Sequence, residues 1–336
     1  MAARGASTRR GVRARVASDA PLSQALQADP TLSDFELAII RALQEDGRRS
    51  YRQMAFELDT TGKHVRSAVR RLLDSGVMEV TAVTFPPLLG YRGMANVAVR
   101  VQPNQALREV AAALADIKAV DYLAITTGSY DLFADVVCRD RSELLQTLDQ
   151  QIRPVPGVAS AEAFAYLSFP YQGSRGVSPL VAPEQTARTP INLTETDRQI
   201  VAELTNDGRT SYKAIAGKLN ISEAQVRQRM KRLTEKGAVR IAAIVNPSTL
   251  GFDTMAWVGI RTGSARLADT VRMVTELGSS TWVATVAGKY ELFAELLCVD
   301  EQELSDELDR IRTSKLVTSA EPFVYLDLHY KRLSLL

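Results

Sequence analysis

Two cysteines, two histidines and two tryptophans are all that 336 residues contain of these types. Two cysteines make no disulfide framework; Cys138 and Cys298 each close an apolar run, where a buried thiol serves as a small hydrophobe. That usage fits a reducing cytoplasm. No nucleophile–base pair, metal-ligand cluster or phosphate-binding glycine loop is visible, so no catalytic residue, metal or cofactor is expected. Long apolar runs are missing too: no 18-residue window could span a bilayer, and the first thirty residues lack the apolar core of a secretory signal. Neither sign of charge dominates, with 41 basic against 39 acidic residues. Acid is absent locally, however, from residues 1–15, which carry Arg4, Arg9, Arg10, Arg13 and Arg15. Residues 1–29 therefore read as a basic, disordered tail.

The composition that remains, 46% hydrophobic and 24% charged, is that of folded globular domains. It is also duplicated. Asp46-Gly47-Arg48-Arg49-Ser50-Tyr51 recurs 161 positions later as Asp207-Gly208-Arg209-Thr210-Ser211-Tyr212. Gly128-Ser129-Tyr130-Asp131-Leu132-Phe133 recurs at 160 as Gly288-Lys289-Tyr290-Glu291-Leu292-Phe293. Near the copy ends the offset is 159, pairing Glu162 to Leu167 with Glu321 to Leu326. Drifting offsets mark a tandem duplication with small loop deletions. Residues 172–190, with three prolines and two glycines, read as the linker.

Each copy divides by period. Leu37, Ile40 and Leu43, then Met54, Ala55 and Leu58, then Val65, Val69 and Leu72 recur at helical spacing. Ser33 and Thr194 stand at N-cap positions, and Gly47 and Gly208 where a C′ glycine ends a helix. A strand follows each helical triplet at 77–83 and 238–245. From residue 95 the order becomes strand, helix, strand, strand, helix, strand, with Gly128-Ser129 expected as a type II′ hairpin turn before a strand at 130–138. The fold class is α+β: two winged-type helix-turn-helix domains (30–83 and 191–245) and two ferredoxin-like βαββαβ domains (84–171 and 246–336).

The third helix of each triplet buries one stripe and leaves a basic face. In the first copy that face carries Lys63, Arg66, Ser67, Arg70 and Arg71, with no acid between 61 and 73. In the second it carries Gln225, Arg227, Gln228, Arg229, Lys231 and Arg232 around the stripe Val226, Met230 and Leu233. Arg suits guanine edges and Gln adenine edges. The βαββαβ parts are acidic, 9 acids to 6 bases over 96–168 and 12 to 7 over 255–328, so positive charge concentrates on the third helices. With Ser50, Tyr51, Ser211 and Tyr212 from the repeated hexapeptide, these residues form the candidate contact set for double-stranded DNA. The bland alternative is a solvated basic face.

The second copy carries the fullest run of recognisable motif. Leu193-Thr194-Glu195-Thr196-Asp197, the hexapeptide 207–212, Ile221-Ser222, Val226 to Leu233, Glu235-Lys236-Gly237-Ala238 and Asn246-Pro247 follow in order. In this run the chain resembles the Lrp/AsnC (leucine-responsive, feast-famine) transcription regulators, over about 31–169 and 191–328. The resemblance implies DNA-binding units joined to RAM sensor domains that take an amino acid or related metabolite and that pair subunits. The first copy departs from the pattern at Leu58-Asp59-Thr60-Thr61-Gly62, where Gly62 in a first helical turn should cost stability.

The resemblance also places an effector at Gly128, Ser129, Tyr130 and Asp131 and at Gly288, Lys289, Tyr290 and Glu291. Family members usually carry an acid where this chain has Ser129 and Lys289. A plain turn with a packed aromatic, or a subunit contact, explains the same residues. Two other functions compete: an architectural DNA-coating protein without an effector, and an enzyme like the siroheme decarboxylases, which share the fold but need histidines and arginines where this chain offers only His64 and His329. Because both copies lie on one chain, the sensor domains are expected to pair internally as a pseudo-dimer, with such chains assembling further into a homo-oligomer.

Overall fold

The computed structural model describes residues 32–174, 177–181, 190–245, 247–263 and 266–330. The basic tail, residues 182–189 of the linker and the side chain of His329 lie outside that set. The first copy begins with helices α1 (Asp34–Glu45), α2 (Tyr51–Glu57) and α3 (Gly62–Asp74) and strand β1 (Met78–Thr84). Ser33 caps α1 and Glu36 reaches back to it, a complete capping box. Gly62 stands in the first turn of α3, as expected, and Thr61 Oγ1 accepts the His64 N–H. In the second copy α6 (Glu195–Asn206), α7 (Tyr212–Leu219), α8 (Glu223–Glu235) and β7 (Val239–Val245) repeat the pattern, with capping boxes at Thr194 and Ser222.

The strand after each third helix does not fold back on its own unit. β1 and β7 pair antiparallel with each other from Met78↔Val245 to Thr84↔Val239. All six helices therefore share one core, in which Ile40, Leu43, Val69, Ile200, Leu204 and Val226 are inaccessible to solvent. Gly47 and Gly208 owe their identity to this strap. Neither adopts a left-handed conformation as a C′ glycine would. Instead a Cβ on Gly47 would meet Val80 Cγ1 at 2.8 Å and Ala242 N at 3.0 Å, and one on Gly208 would meet Ile241 Cγ2 at 2.8 Å and Thr81 N at 3.0 Å. Each N–H donates across the copies, Gly47 to Ile241 and Gly208 to Val80, both at 2.8 Å.

Beyond the heads, the first βαββαβ unit is β2 (Gly93–Val101), α4 (Leu107–Ala115), β3 (Val120–Thr126), β4 (Leu132–Cys138), α5 (Arg141–Thr147) and β5 (Val158–Ser174). The second is β8 (Thr254–Thr262), α9 (Leu267–Thr275), β9 (Ser280–Ala287), β10 (Leu292–Cys298), α10 (Glu301–Thr313) and β11 (Val317–Tyr330). The strand following each Gly-x-Tyr starts at Leu132 or Leu292 rather than at the tyrosine, and the turn is closed by Thr126 N–H donating to the Asp131 carbonyl and Val286 N–H to that of Glu291, with four residues between donor and acceptor in each case. The connection is thus longer than a two-residue hairpin turn. The supposed linker starts as structure: β5 runs to Ser174 and β6 (Val177–Val181) turns back on it.

The two sheets close on each other. β3 pairs with β11 and β5 with β9, so the order β2-β4-β3-β11-β8-β10-β9-β5 returns to β2 as an antiparallel barrel. Helices cover its outside over two separate cores, one holding Val97, Leu114 and Val136, the other Val258, Val274 and Leu296. Inside, residues of alternate parity meet across the copies: Phe133 packs on Phe323 with ring centroids 4.7 Å apart and Phe164 on Phe293 at 5.1 Å. Such ring pairs add about 0.5–1.5 kcal/mol each beyond burial. The internal pseudo-dimer is thus a single joined body. No helix among the described residues is long and apolar enough to cross a membrane.

A methyl group at Gly208 would have to displace the β1 backbone. Gly208→Ala is expected to destabilise the heads by about 1–3 kcal/mol, the usual range for overpacking. Differential scanning calorimetry would read this as a lowered head transition; an unchanged trace would show that the strap yields without cost.

Candidate nucleic-acid interface

The repeated Asp-Gly-Arg holds the two heads against each other. Arg48 Nη1 donates to the carbonyls of Gly208 (2.7 Å) and Thr210 (3.0 Å). Arg209 Nη1 returns the contact to the Gly47 carbonyl at 2.6 Å. Each guanidinium also lies over the other copy's tyrosine, Arg48 at 4.3 Å from the Tyr212 centroid and Arg209 at 4.6 Å from Tyr51. Each ring also has a third-helix arginine near it: Arg66 at 5.6 Å from Tyr51 and Arg227 at 5.4 Å from Tyr212. Two triads of cations and ring thus link each third helix to an arginine of the other copy. Sequence reasoning had Tyr51 and Tyr212 but passed over Arg48 and Arg209; their signal was the exact repetition of Asp-Gly-Arg. Ser50 and Ser211 cap α2 and α7, their oxygens accepting from Gln53 N and Ala214 N.

On α3, Lys63, Arg66, Ser67, Arg70 and Arg71 are all exposed, and on α8 so are Gln225, Arg227, Gln228 and Lys231. Arg70, Arg227 and Lys231 make i,i+4 contacts with Asp74, Glu223 and Glu235 at the surface. Exposed pairs of that kind contribute about 0.3–0.5 kcal/mol and exchange readily for a phosphate. Arg71 is more committed: its Nε and Nη2 both reach Glu36 Oε1, and hydrogen bonding from Arg71 and Ser33 holds that carboxyl down at about 2. Gln225 uses its side-chain oxygen to accept from the Ser222 N–H.

Arg229 and Arg232 do not stand with the outward-facing set. Asp197 is fully buried, and both guanidiniums close on it, Arg229 Nη1 at 3.0 Å and Arg232 Nη2 at 2.6 Å. Arg229 also donates to Thr194 Oγ1 at 2.9 Å. Burial alone would raise the Asp197 carboxyl; hydrogen bonds from Thr194 and Arg229, with the Arg232 charge, outweigh it and hold the carboxyl below its ordinary value. These two arginines tie α8 to the capping box of α6. Helical spacing could not distinguish them from their neighbours, because their partner is distant in sequence. His64, the histidine on α3, stacks on Phe35 at 4.5 Å and contacts Thr60 Oγ1.

At the barrel turns, the eight candidate effector residues do not form one cavity. Tyr130 and Tyr290 are buried inside the barrel, where Tyr130 donates to Glu162 at 2.5 Å and Tyr290 to Glu321. Burial, then these carboxylates, push both phenols above their ordinary value. Asp131 accepts the Val101 N–H at 2.7 Å and Glu291 the Thr262 N–H at 3.1 Å, so both acids support their own turns. Ser129 (2.5 Å) and Lys289 (2.9 Å), from different copies, converge on Glu321. Burial opposes the charge on Glu321, but these donors and Tyr290 prevail and lower its carboxyl. Gly128 and Gly288 have positive φ, and a Cβ on either would press on a phenylalanine of the other copy, Phe323 or Phe164. The turns are contacts between the copies. Among the described residues no group of three or more His, Cys, Asp or Glu could hold a metal ion.

Compared with known proteins, residues 193–234 match the AsnC-type helix-turn-helix domain, 94–175 the Lrp/AsnC ligand binding domain, and 32–77 a winged helix-turn-helix DNA-binding domain. An uncharacterized HTH-type transcriptional regulator of Pyrococcus furiosus is 37% identical over 132 residues, covering 39% of this chain and 88% of the relative. An HTH-type transcriptional regulator of Mycobacterium tuberculosis is 30% identical over 136 residues, covering 40% of this chain and 92% of its own length. The siroheme decarboxylase NirDL superposes on 89% of this chain and 93% of its own, with a TM-score of 0.64 at 16% identity, a likeness of fold alone.

Arg229→Ala is expected to lower thermal stability, because it strips a partner from a buried carboxylate; truncating one member of such a pair costs on the order of 3–5 kcal/mol, and the partial exposure of Arg229 argues for the lower end or less. Arg227→Ala should leave the melting temperature nearly unchanged. Since the folded Asp197 carboxyl is depressed, the stability it confers is complete above the ordinary carboxylate range and fades as pH falls through the folded value. The Arg229→Ala deficit should therefore shrink in acid; a deficit that grows in acid would refute the assignment.

Proposed function

The chain belongs to the Lrp/AsnC family of helix-turn-helix transcription regulators, and from that premise we propose that it is a sequence-specific DNA-binding regulator whose single chain carries both readers of one operator. The observation that carries this reading is the β1–β7 strap with the exchanged contacts of Arg48 and Arg209, each over the other copy's tyrosine, which hold the two third helices in one head. Lys63, Arg66, Ser67 and Arg70 face one half-site and Arg227, Gln228 and Lys231 the other. Gln225 offers its amide N–H groups. Ser50, Tyr51, Ser211 and Tyr212 approach phosphates at the starts of α2 and α7, and Arg71, Arg229 and Arg232 brace the helices from behind.

The aligned positions of the two helices carry different side chains, Lys63 against Ala224 and Ser67 against Gln228. The operator is accordingly an imperfect palindrome, its half-site centres about one DNA turn, or a multiple, apart. An amino acid or related metabolite acts at the turns 128–131 and 288–291, in the cytoplasm, and chains associate further into a homo-oligomer. A catalytic role is not part of this reading, despite the fold shared with NirDL: the described histidine, His64, serves the head. An absorbance titration with an iron tetrapyrrole tests that point, and a saturable spectral shift would reopen it.

Footprinting of the purified chain on its own promoter should show one chain protecting two unlike half-sites. Arg227→Ala should weaken only the half-site under α8, by about 1–3 kcal/mol if the contact is to a base. A perfect palindrome bound by two chains, each through one head unit, would contradict the proposal. Uniform binding to any duplex would support the architectural alternative. Asp131→Ala and Glu291→Ala should retain operator binding and lose the effector response; loss of the folded state in either would return both residues to packing.

A further inference from the structure

The barrel interior has two layers of different chemistry. The layer of Phe133, Phe164, Phe293 and Phe323 is fully buried and apolar. One step along the strands, toward the heads, the inward positions of β4 and β10 are Asp135 and Glu295. Asp135 Oδ1 accepts from Asn96 Nδ2 at 3.1 Å and from the Tyr166 hydroxyl, while no described side chain donates to its Oδ2. Glu295 Oε1 accepts from Tyr122 (3.0 Å) and Tyr325 (2.8 Å), and Oε2 from Thr281 (2.8 Å). Among the described residues no lysine, arginine or histidine forms an ion pair with either carboxylate, so the layer holds acid without internal compensation.

Three further observations point to a guest: two buried polar atoms left without a partner, and side chains of the layer that keep accessible surface. Asn96 is fully buried, yet its Oδ1, on the amide that touches Asp135, has no partner. The same holds for Nε1 of Trp257, the residue matching Asn96 in the second copy, which is 2% exposed. Asp135, Glu295, Tyr122, Tyr166, Tyr325 and Trp282, all on barrel strands, each keep accessible surface. Two indoles meet edge to face here, Trp257 and Trp282 at 4.8 Å, and Tyr122 stands edge-on to Trp257 at 6.4 Å.

Uncompensated carboxylates among aromatic faces are the chemistry that receives an organic cation. We propose that the head-facing layer of the barrel is a binding site for a small amine cation. Its ammonium lies between Asp135, Glu295 and Asn96 Oδ1, and its carbon skeleton lies against Trp257 and Trp282. An oxygen on the ligand, or a water bound with it, accepts from Trp257 Nε1. This site is separate from the turns 128–131 and 288–291. It also has a route to the heads: Tyr166 packs on Phe169 at 4.9 Å, and Phe169 on Phe85 of the head core at 5.8 Å.

Burial, reinforced by the nearby Glu295 charge, pushes the Asp135 carboxyl up to about 7, with hydrogen bonds from Tyr166 and Asn96 opposing. The titratable groups facing it are Glu295 on β10 and Tyr166 on β5, with Tyr122 on β3 and Tyr325 on β11 held on Glu295. A proton therefore competes with the cation.

Because the chain's two tryptophans both line the layer, fluorescence excited selectively at tryptophan, rather than at the ten tyrosines, reports on this place. The full chain would be titrated with ethanolamine, 1,4-diaminobutane and tetramethylammonium, with acetate as control. At least one amine is expected to give a saturable fluorescence change, with an affinity that rises about tenfold per pH unit below 7 and levels off above it. Asp135→Asn with Glu295→Gln should abolish the change. No response to any of these amines up to about 10 mM at pH 8, a response equal in that double variant, or an affinity unchanged between pH 5.5 and 8 would each overturn the proposal. Should the double variant not fold, the pH series on the native chain decides alone.

Discussion

Strand edges left open by one copy and closed only by the other are the constraint from which the remaining architecture follows. Among the described residues β1 pairs with β7 alone, β3 completes itself on β11 and β5 on β9. An open edge offers unpaired N–H and C=O groups to any passing strand, and closing it against a tethered counterpart removes that hazard. The tether matters because it raises the effective concentration of each copy at the other. Heads and sensors are thereby tied at both ends, and neither copy could keep its aromatic core dry alone. Phe133 of the first copy packs on Phe293 and Phe323 of the second.

Duplication within a chain lets the two copies diverge wherever symmetry is not needed. Positions that make the joint have stayed in kind: Gly47 with Gly208, Arg48 with Arg209, Phe133 with Phe293. Other positions have separated: Ser67 against Gln228 on the outer helix face, Asn96 against Trp257 in the barrel. Even the braces differ. Glu36 holds one arginine, whereas Asp197 holds two, because Ala68 occupies the place of Arg229. A symmetric homodimer would have to change both faces with every substitution; this chain changes one.

What could be read from the sequence was what is local. Capping boxes, buried stripes on α3 and α8, and the βαββαβ order depend on neighbours within about one or two helical turns, and the structure places them where the pattern did. The repeat gave the pseudo-dimer in outline. What escaped were contacts between residues distant in the chain: the strap that explains Gly47, the exchange of Arg48 and Arg209, and the carboxylate beneath Arg229, 32 positions before it. A basic residue on an exposed helix face looks the same whether it meets a phosphate or a buried aspartate, and only the fold tells them apart. Likewise Asp131 and Glu291 stood beside the turn as ligand groups would, yet their oxygens accept from the ends of β2 and β8.

The route between barrel and heads is short and made of rings. Phe85 follows β1 and belongs to the head core, while Phe169 belongs to β5 and touches Tyr166 and Trp282 of the barrel layer. Ile191, at the entry to the second head, donates its N–H to Leu88 of the first copy at 2.7 Å, so both head units meet the same junction. A shift of β5 against β9 would therefore move Phe169 under the head core rather than dissipate in a flexible hinge. For a regulator, such packing is the physical requirement for coupling: two arrangements of one junction, each favoured by a different occupant, and a head whose third helices keep their spacing because Arg48 and Arg209 hold it.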